Sequence, residues 1–374
     1  MKTILPGQTI GIIGGGQLGR MMGQAAKEAG FRIAVLDPTE DSPCGQIADI
    51  KIVAHYDDTA ALDELAKVSD VITFEFENID YEGLKALCEK AYVPQGAEII
   101  RITQNRISEK AEIKASGAPV ANYVSAHRYE ELAEQIDAVG FPCIVKTAFG
   151  GYDGKGQIKL DSKDQLEEAR GLFEHSSCIA EAFVPFVKEV SVIIQRNANG
   201  ESYCLPIAEN IHKDHILHES IVPARVEDSI IEKAEVAAGQ IANHLNLVGT
   251  LAVEMFVLED GEIVINELAP RPHNSGHYSI EACNVSQFHQ HVRAVCGWPL
   301  RKPKLWAPSI MVNVLGEHVE PLIKAIPNYP DWSVHLYGKA EAKEKRKMGH
   351  VTIMTDDLEA TLKEIEASQV WFNK

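Results

Sequence analysis

Basic residues are in short supply in this chain: 36 Lys and Arg stand against 54 Asp and Glu among 374 residues, a formal net charge of −18. The average field repels a phosphate backbone or an anionic bilayer, which sets nucleic acid and membrane aside as partners. An anionic small molecule would have to be held by a local group of Lys, Arg and N–H donors. Paired cysteines are missing too. The seven present (Cys44, Cys88, Cys143, Cys178, Cys204, Cys283 and Cys296) are odd in number and scattered, without a Cys-x-x-Cys pair, so reduced thiols are expected. No apolar run approaches the roughly 18 residues of a membrane helix. Residues 1–6 lead into a strand-like segment without the hydrophobic stretch and cleavage pattern of a secretion signal, so the cytoplasm is the expected location. There is no Gly-x-x-x-x-Gly-Lys-Ser/Thr sequence, which argues against a P-loop enzyme, and no internal repeat or low-complexity tract.

What is present is ordinary globular material, 45% hydrophobic and 24% charged. The length exceeds that of one core, so two or three domains with clefts between them are expected. Residues 9–13 read as a strand, 14–19 as a glycine-rich turn, 20–29 as a helix and 32–36 as a second strand. A buried strand at 71–76 and a helix at 81–90 continue the alternation, which predicts a parallel α/β sheet up to a boundary near residue 100. A helix is expected over 106–116, strands at 142–147 and 157–160 around the loop 149–156, strands between 179 and 194, and a helix over 228–245. Beyond about residue 300 a smaller appended unit is expected, with strands near 309–314 and 350–354.

The most informative stretch is 250–269, two β-rich runs joined by Asp260-Gly261, a two-residue hairpin signal. In that register opposed residues sum to 521, and Glu254 faces Glu267. Strict alternation then places Phe256, Leu258, Ile263 and Ile265 on the side of the two acids and Asn266 on the other. Opposed buried carboxylates are costly. A hard cation resolves the conflict, and Mg²⁺ (with Mn²⁺ as its substitute) held by two carboxylates and nucleotide phosphate oxygens is the expected form. A slipped register, or a solvated acid at a sheet edge, would remove that site.

Two glycine-rich turns suggest phosphate handling. Gly14, Gly16 and Gly19 follow a strand and open a helix, with Asp37 ending the next strand. This spacing fits a dinucleotide fingerprint and makes an NAD-dependent oxidoreductase the main rival reading, although the free N–H groups of a helix start suit any phosphate. The second turn carries four glycines in residues 149–156, and its amides could close over phosphates.

The segments GIIGGGQLGRM (11–21), FEFENI (74–79), FGGYDGKGQ (149–157), EAFVPFVKEVSV (181–192), NELAPRPHNSGH (266–277) and RKMGH (346–350), in this order along nearly the whole chain, resemble the 5-(carboxyamino)imidazole ribonucleotide synthases. The resemblance implies an α/β protein with an ATP-grasp fold: an N-terminal Rossmann-like (pre-ATP-grasp) domain at 1–100, an ATP-grasp domain with its glycine-rich lid at 101–298, and a small C-terminal domain at 299–374. It implies a ligase that uses ATP and bicarbonate to carboxylate aminoimidazole ribonucleotide, working as a homodimer. A formate-using relative of the same fold, glycinamide ribonucleotide transformylase, is the nearest alternative, and a catalytically silent regulatory protein a more distant one.

Carried over by position, the resemblance assigns ATP to Arg106, Lys146, the lid residues Gly151, Tyr152, Asp153, Gly154, Lys155, Gly156 and Gln157, the adenine-lining Glu181, Ala182, Phe183 and Val184, the ribose-binding Glu189, and His212, Asn266 and Glu267. Glu254 and Glu267 coincide with the metal ligands. The ribonucleotide phosphate falls to Gly16, Gln17 and Leu18 with Lys339 and Arg346, its ribose to Glu75 and Asn78, and its amine to Asp153 beside Tyr152. Arg271, His273 and Asn274 are placed for bicarbonate, with an ion pair to the nearby carboxylates as the plainer role of Arg271. The implied catalytic set is Lys146, Asp153 and Arg271. Many relatives read Arg-Pro-Gly-Arg-Lys where this chain has Lys343-Glu344-Lys345-Arg346-Lys347, a departure beside the phosphate pocket.

Overall fold

The computed structural model describes residues 2–150, 156–174 and 176–371. Four short strands, Thr9–Ile13 (β1), Arg32–Leu36 (β2), Ile50–Ile52 (β3) and Val71–Phe74 (β4), form a parallel sheet ordered β3-β2-β1-β4. β1 and β4 are buried throughout, as a parallel sheet covered on both faces requires. The first helix runs Gln17–Glu28, starting three residues before the expected position. A Cβ on Gly16 would meet the Glu75 carboxylate at 2.6 Å, and one on Gly19 would meet the Gly14 carbonyl at 2.6 Å. The glycines therefore serve close approach at the helix start rather than a longer turn. Met21, Met22 and Ala25 of this helix share a core with Phe288 and Val292 of the Gln287–Val295 helix, which fastens the first sheet to the rest of the chain.

Asn105 caps the Arg106–Ala115 helix, its side chain accepting from the N–H groups of Ile107 (2.9 Å) and Ser108 (3.2 Å). Tyr123–Ala126 (β5), Cys143–Thr147 (β6), Gln157–Leu160 (β7) and Cys178–Ala182 (β8) then form an antiparallel sheet ordered β5-β8-β6-β7. The remaining strands make one large sheet: Phe186–Arg196 (β9), Ser202–Cys204 (β10), Ala208–Lys213 (β11), Ile216–Val222 (β12), Gly249–Leu258 (β13), Ile263–Ala269 (β14), Ser309–Leu315 (β15), Trp332–Leu336 (β16) and Lys347–Met354 (β17). Their order is β14-β13-β9-β11-β12-β15-β17-β16, with β10 on β9. The C-terminal strands thus continue the central sheet through the β12–β15 pairing. All seven cysteines are free, and no described helix is long and apolar enough to cross a membrane.

The β13–β14 hairpin departs from the expected geometry in two places. Its loop has three residues, Glu259, Asp260 and Gly261: the Gly261 N–H donates to the Leu258 carbonyl (3.0 Å), the Leu258 N–H to the Glu262 carbonyl (2.8 Å), and Gly261 has φ +76°. A left-handed glycine closing a turn of this length is a common hairpin solution. Next to the loop the pairs are Val257 with Ile263 and Met255 with Ile265, one residue out of the expected register. A bulge between Met255 and Glu254 then restores it, and Glu254 faces Glu267. The expected pairing is reached through two offsetting irregularities.

The bulge also changes the faces. Ile263 and Ile265 lie in the core with Val253, Met255 and Val257, not beside Phe256 and Leu258 as strict alternation required. Asn266 and Glu267 fall between the core residues Ile265 and Leu268 and both point off the core, so Asn266 shares the side of the acids. A Cβ on Gly261 would meet only Ile230, at an ordinary 3.8 Å. Gly261→Ala should therefore cost only the left-handed backbone penalty, about 1–2 kcal/mol, read as a lower urea midpoint with an unchanged slope. An unshifted midpoint would mean that the loop closes without a left-handed residue.

Candidate active site

Glu254 projects from β13 with His273 Nε2 3.2 Å from its Oε1. Burial and the facing Glu267 push its carboxyl pKa up, and His212 offsets only part of that. Two acids held together in this way call for a cation. Among the described residues no three His, Cys, Asp or Glu side chains converge as a metal cluster. The donor set fits an Mg²⁺ whose coordination is completed by phosphate oxygens and water rather than a site built wholly of protein.

Ser191 of β9 pairs with Glu254 and Glu189 with Phe256, so Glu189 lies on the same face two residues along. His212 on β11 places Nδ1 3.1 Å from Glu189 Oε2. Burial opposes its protonation, but Glu189 and, beyond it, Glu254 hold its pKa above the ordinary value. His273 behaves oppositely. Burial, Arg271 and Lys347 keep its pKa well below the usual range, so it is neutral; its Nδ1 lies 3.4 Å from the Ser275 N–H it accepts, which leaves Nε2 to donate toward Glu254. Asn274 is buried in the short turn that follows.

Across the cleft, Lys146 on β6 sets its Nζ 3.2 Å from Glu181 Oε2, and Lys110 sets its own 3.5 Å from the same oxygen. Burial disfavours the Glu181 carboxylate, but the two ammonium groups hold its pKa below the ordinary range. The Glu181 side chain is therefore committed to lysines. After Ala182 the chain leaves the sheet, Val184 follows, and Phe183 is exposed with Lys159 Nζ 4.9 Å above its ring. Arg106 Nη1 donates to the carbonyls of Thr147 (2.9 Å) and Gly150 (2.5 Å), fixing one end of the glycine-rich loop. The Thr147 N–H donates to the Gly156 carbonyl (2.9 Å), and Gln157 pairs with Lys146, fixing the other. Gly151, Tyr152, Asp153, Gly154 and Lys155 lie outside the described residues.

At the first glycine turn the donors already have acceptors. Asp37 accepts from the Gly15 N–H (2.7 Å), the Thr39 N–H (2.8 Å) and the Tyr56 hydroxyl (2.7 Å). The buried Glu75 carboxylate accepts from the N–H groups of Gly16 and Gly19. Burial pushes the Glu75 pKa up, and those two N–H groups oppose the rise. Asp37, the acid that would read a dinucleotide ribose, is engaged within the protein, which argues against the oxidoreductase reading. Gln17 and Leu18 carry the remaining N–H groups of the helix start. Asn78 is exposed nearby.

The C-terminal strands reach the same place. Lys339 Nζ donates to the Lys347 carbonyl (2.7 Å). Burial, with Arg346 beside it, pushes its pKa down to about 8 while Glu75 pulls it up. Lys339, Arg346 and Glu75 therefore share one electrostatic neighbourhood. The exposed Arg346 donates to the Glu341 carbonyl (3.0 Å). Arg271, expected beside bicarbonate or paired with the nearby carboxylates, sets Nη2 2.6 Å from Glu77 Oε1, so its ion pair runs to Glu77 rather than to Glu254 or Glu267 and bridges the end of β14 to the first unit. Its buried Nε has no acceptor among the described residues.

Four residues that sequence reasoning left without a role belong to this surround. Glu77 sits inside FEFENI and Lys347 inside RKMGH, where the motifs themselves could have flagged them. Lys347 acts electrostatically on Glu254, His212 and His273. Glu109 and Lys110 follow Arg106 on its helix and carry no local signal beyond charge at positions that turn out buried.

An antiparallel sheet with a glycine-rich loop, facing a larger sheet that bears opposed carboxylates, defines an ATP-grasp ligase. Residues 111–288 match the ATP-grasp domain family, residues 7–104 the ribonucleotide synthetase preATP-grasp domain, and residues 309–364 the phosphoribosylaminoimidazole carboxylase C-terminal domain. The chain is 51% identical to the N5-carboxyaminoimidazole ribonucleotide synthase of Bacillus subtilis, over all of this chain and 98% of that one. It superposes with TM-score 0.96 and 54% identity on the ADP complex of an N5-carboxyaminoimidazole ribonucleotide synthetase, covering 99% of this chain and 98% of the other. A synthase from Aspergillus clavatus in complex with ADP and 5-aminoimidazole ribonucleotide matches with TM-score 0.90 and 31% identity, covering 96% and 97%. The chain belongs to the N5-carboxyaminoimidazole ribonucleotide synthase family.

Proposed function

We propose that this chain carboxylates the amine of 5-aminoimidazole ribonucleotide with bicarbonate, converting ATP to ADP and phosphate, as a step of purine biosynthesis. The observation that carries the reading is the pair of clusters on either side of the Arg271–Glu77 bridge: Glu254 and Glu267 with their histidines on one side, Glu75 with Lys339 and Arg346 on the other. One side suits a nucleotide triphosphate, the other a ribonucleotide monophosphate. The units are assigned as residues 1–100, 101–298 and 299–374, in a cytoplasmic homodimer.

Lys146 and Arg106 would contact the ATP phosphates, the loop from Gly151 through Gln157 would cover them, and residues 181–184 would line the adenine. Glu189, with His212 ion-paired to it, is placed for the nucleotide ribose. Glu254 and Glu267, with Asn266 on the same face, would hold Mg²⁺, which when bound offsets charge on the transferring phosphoryl group. Bicarbonate oxygen attacks the γ-phosphate and yields carboxyphosphate, whose carbon the ribonucleotide amine then captures. Lys146 supplies fixed positive charge to the phosphoryl transfer. Arg271, through its unpartnered Nε, His273 and Asn274 would position bicarbonate. Asp153, next to Tyr152, would orient the amine and accept its proton. Gly16, Gln17 and Leu18 with Lys339 and Arg346 would hold the ribonucleotide phosphate, and Glu75 and Asn78 its ribose.

Omitting substrates one at a time tests the reaction. Phosphate release from ATP should be rapid only with aminoimidazole ribonucleotide and bicarbonate together, and formate should not replace bicarbonate. Turnover with formate and none with bicarbonate would make the chain a transformylase.

Lys339 offers a pH signature. With its pKa pushed down to about 8 in the ligand-free protein, it is charged below that pH and neutral above. The KM for the ribonucleotide should be flat up to that point and then rise toward roughly tenfold per pH unit. Lys339→Arg should abolish the rise, because a guanidinium stays charged. The same rise in the variant would remove Lys339 from the phosphate pocket.

A further inference from the structure

β14 is the outermost strand of the large sheet and carries the bulge that turns Asn266 and Glu267 toward Glu254. A bulge disrupts the ladder, and on the outer side of this edge strand the only backbone bridge among the described residues is the isolated one between Ile265 and Val120, with the Ile265 N–H donating to the Pro119 carbonyl (2.8 Å). Three further polar groups of 265–268 find partners on the Arg106–Ala115 helix, from two consecutive charged residues that are almost fully buried, Glu109 at 4% and Lys110 at 2% exposure. Lys110 Nζ donates to the carbonyls of Ile265 (3.2 Å) and Asn266 (2.7 Å). The Leu268 N–H donates to Glu109 Oε1 (2.7 Å). The third partner of Lys110 is Glu181 Oε2 at 3.5 Å, the oxygen that also meets Lys146 at 3.2 Å. An ammonium group has three donors, and here they join the bulge to the carboxylate that anchors Lys146.

We propose that Lys110 is a positioning residue for the nucleotide–metal site: without touching substrate, it pins the β14 bulge that aims Glu267 and ties it to the Glu181–Lys146 pair. The inference rests on the assignment of Glu254 and Glu267 as metal ligands. A buried lysine whose only task was to balance Glu181 would not need the two bulge carbonyls. Partners that orient metal ligands typically change metal affinity about 10–100-fold when removed.

The test is calorimetric titration of a non-hydrolysable ATP analogue into wild-type, Lys110→Met and Glu267→Gln protein, each with saturating Mg²⁺ and with EDTA. For Lys110→Met, affinity in EDTA should stay near that of the wild type, while affinity in Mg²⁺ falls about 10–100-fold. Thermal protection by aminoimidazole ribonucleotide should be unchanged. Adding Glu267→Gln to Lys110→Met should cost little more than Glu267→Gln alone, because both act on one carboxylate. Should Lys110→Met fail to fold, Lys110→Gln, which keeps one amide donor for the carbonyls, is measured in the same way and should show a smaller loss of the same kind. An equal loss with and without Mg²⁺, or no loss, overturns the role of Lys110. If Glu267→Gln itself leaves the Mg²⁺ dependence intact, the metal assignment fails instead.

Discussion

The opposition of Glu254 and Glu267 across the β13–β14 pair is the constraint around which the rest of the site is arranged. Side by side on a sheet, two carboxylates repel, and burial on the Glu254 side raises the cost of keeping that acid ionised, whereas Glu267 is exposed. The surroundings offset that cost in stages. A neutral His273 donates to Glu254, His212 with its raised pKa stands nearby on Glu189, and Lys347 contributes positive charge from the C-terminal strands. None of these neutralises the pair, and Glu254 keeps an elevated proton affinity. Negative charge left on the pair is what a hard cation carrying a polyphosphate would meet in the proposed site.

Chemistry at such a pair needs a second substrate brought from another unit, and the packing between units provides for it. The first helix shares its core with the Gln287–Val295 helix, so the glycine turn cannot drift from the central sheet. Arg271 spans to Glu77. At the C-terminal joint, His350 stacks on His335 at 4.5 Å and lies 4.6 Å from His277, while His335 meets Glu281 at 2.6 Å and His350 the Tyr337 hydroxyl at 2.9 Å. Burial holds His277 and His350 far below the ordinary imidazole pKa, so these two rings pack against each other as neutral imidazoles rather than repelling cations. The start of β17, with Lys347 and the preceding Arg346, is presented from this fixed base.

Much of the fold was readable from local pattern. β1, β2, β7 and the Tyr81–Lys90 helix fall on their expected residues because period and turn residues agree there. The hairpin shows the limit: the facing acids were found, yet the loop is one residue longer and a bulge compensates, and only the three-dimensional edge of the sheet explains why a bulge is tolerated. Asn266 was misplaced for the same reason. Arg271–Glu77 and the contacts of Lys110 join residues 194 and 155 positions apart, and no periodicity encodes such pairs. Glu75 in the helix-start amides was equally invisible, since a glycine fingerprint does not say which anion its N–H groups meet.

Where a divalent cation binds tests the pairing of Glu254 with Glu267 most directly. Crystals of the protein grown with Mn²⁺ and ADP, measured for anomalous scattering, should show manganese bound by carboxylate oxygens of both Glu254 and Glu267 at roughly 2.0–2.2 Å, with the remaining positions filled by phosphate and water oxygens. Manganese bound to neither acid, or to the nucleotide alone with the two carboxylates turned away, would contradict it.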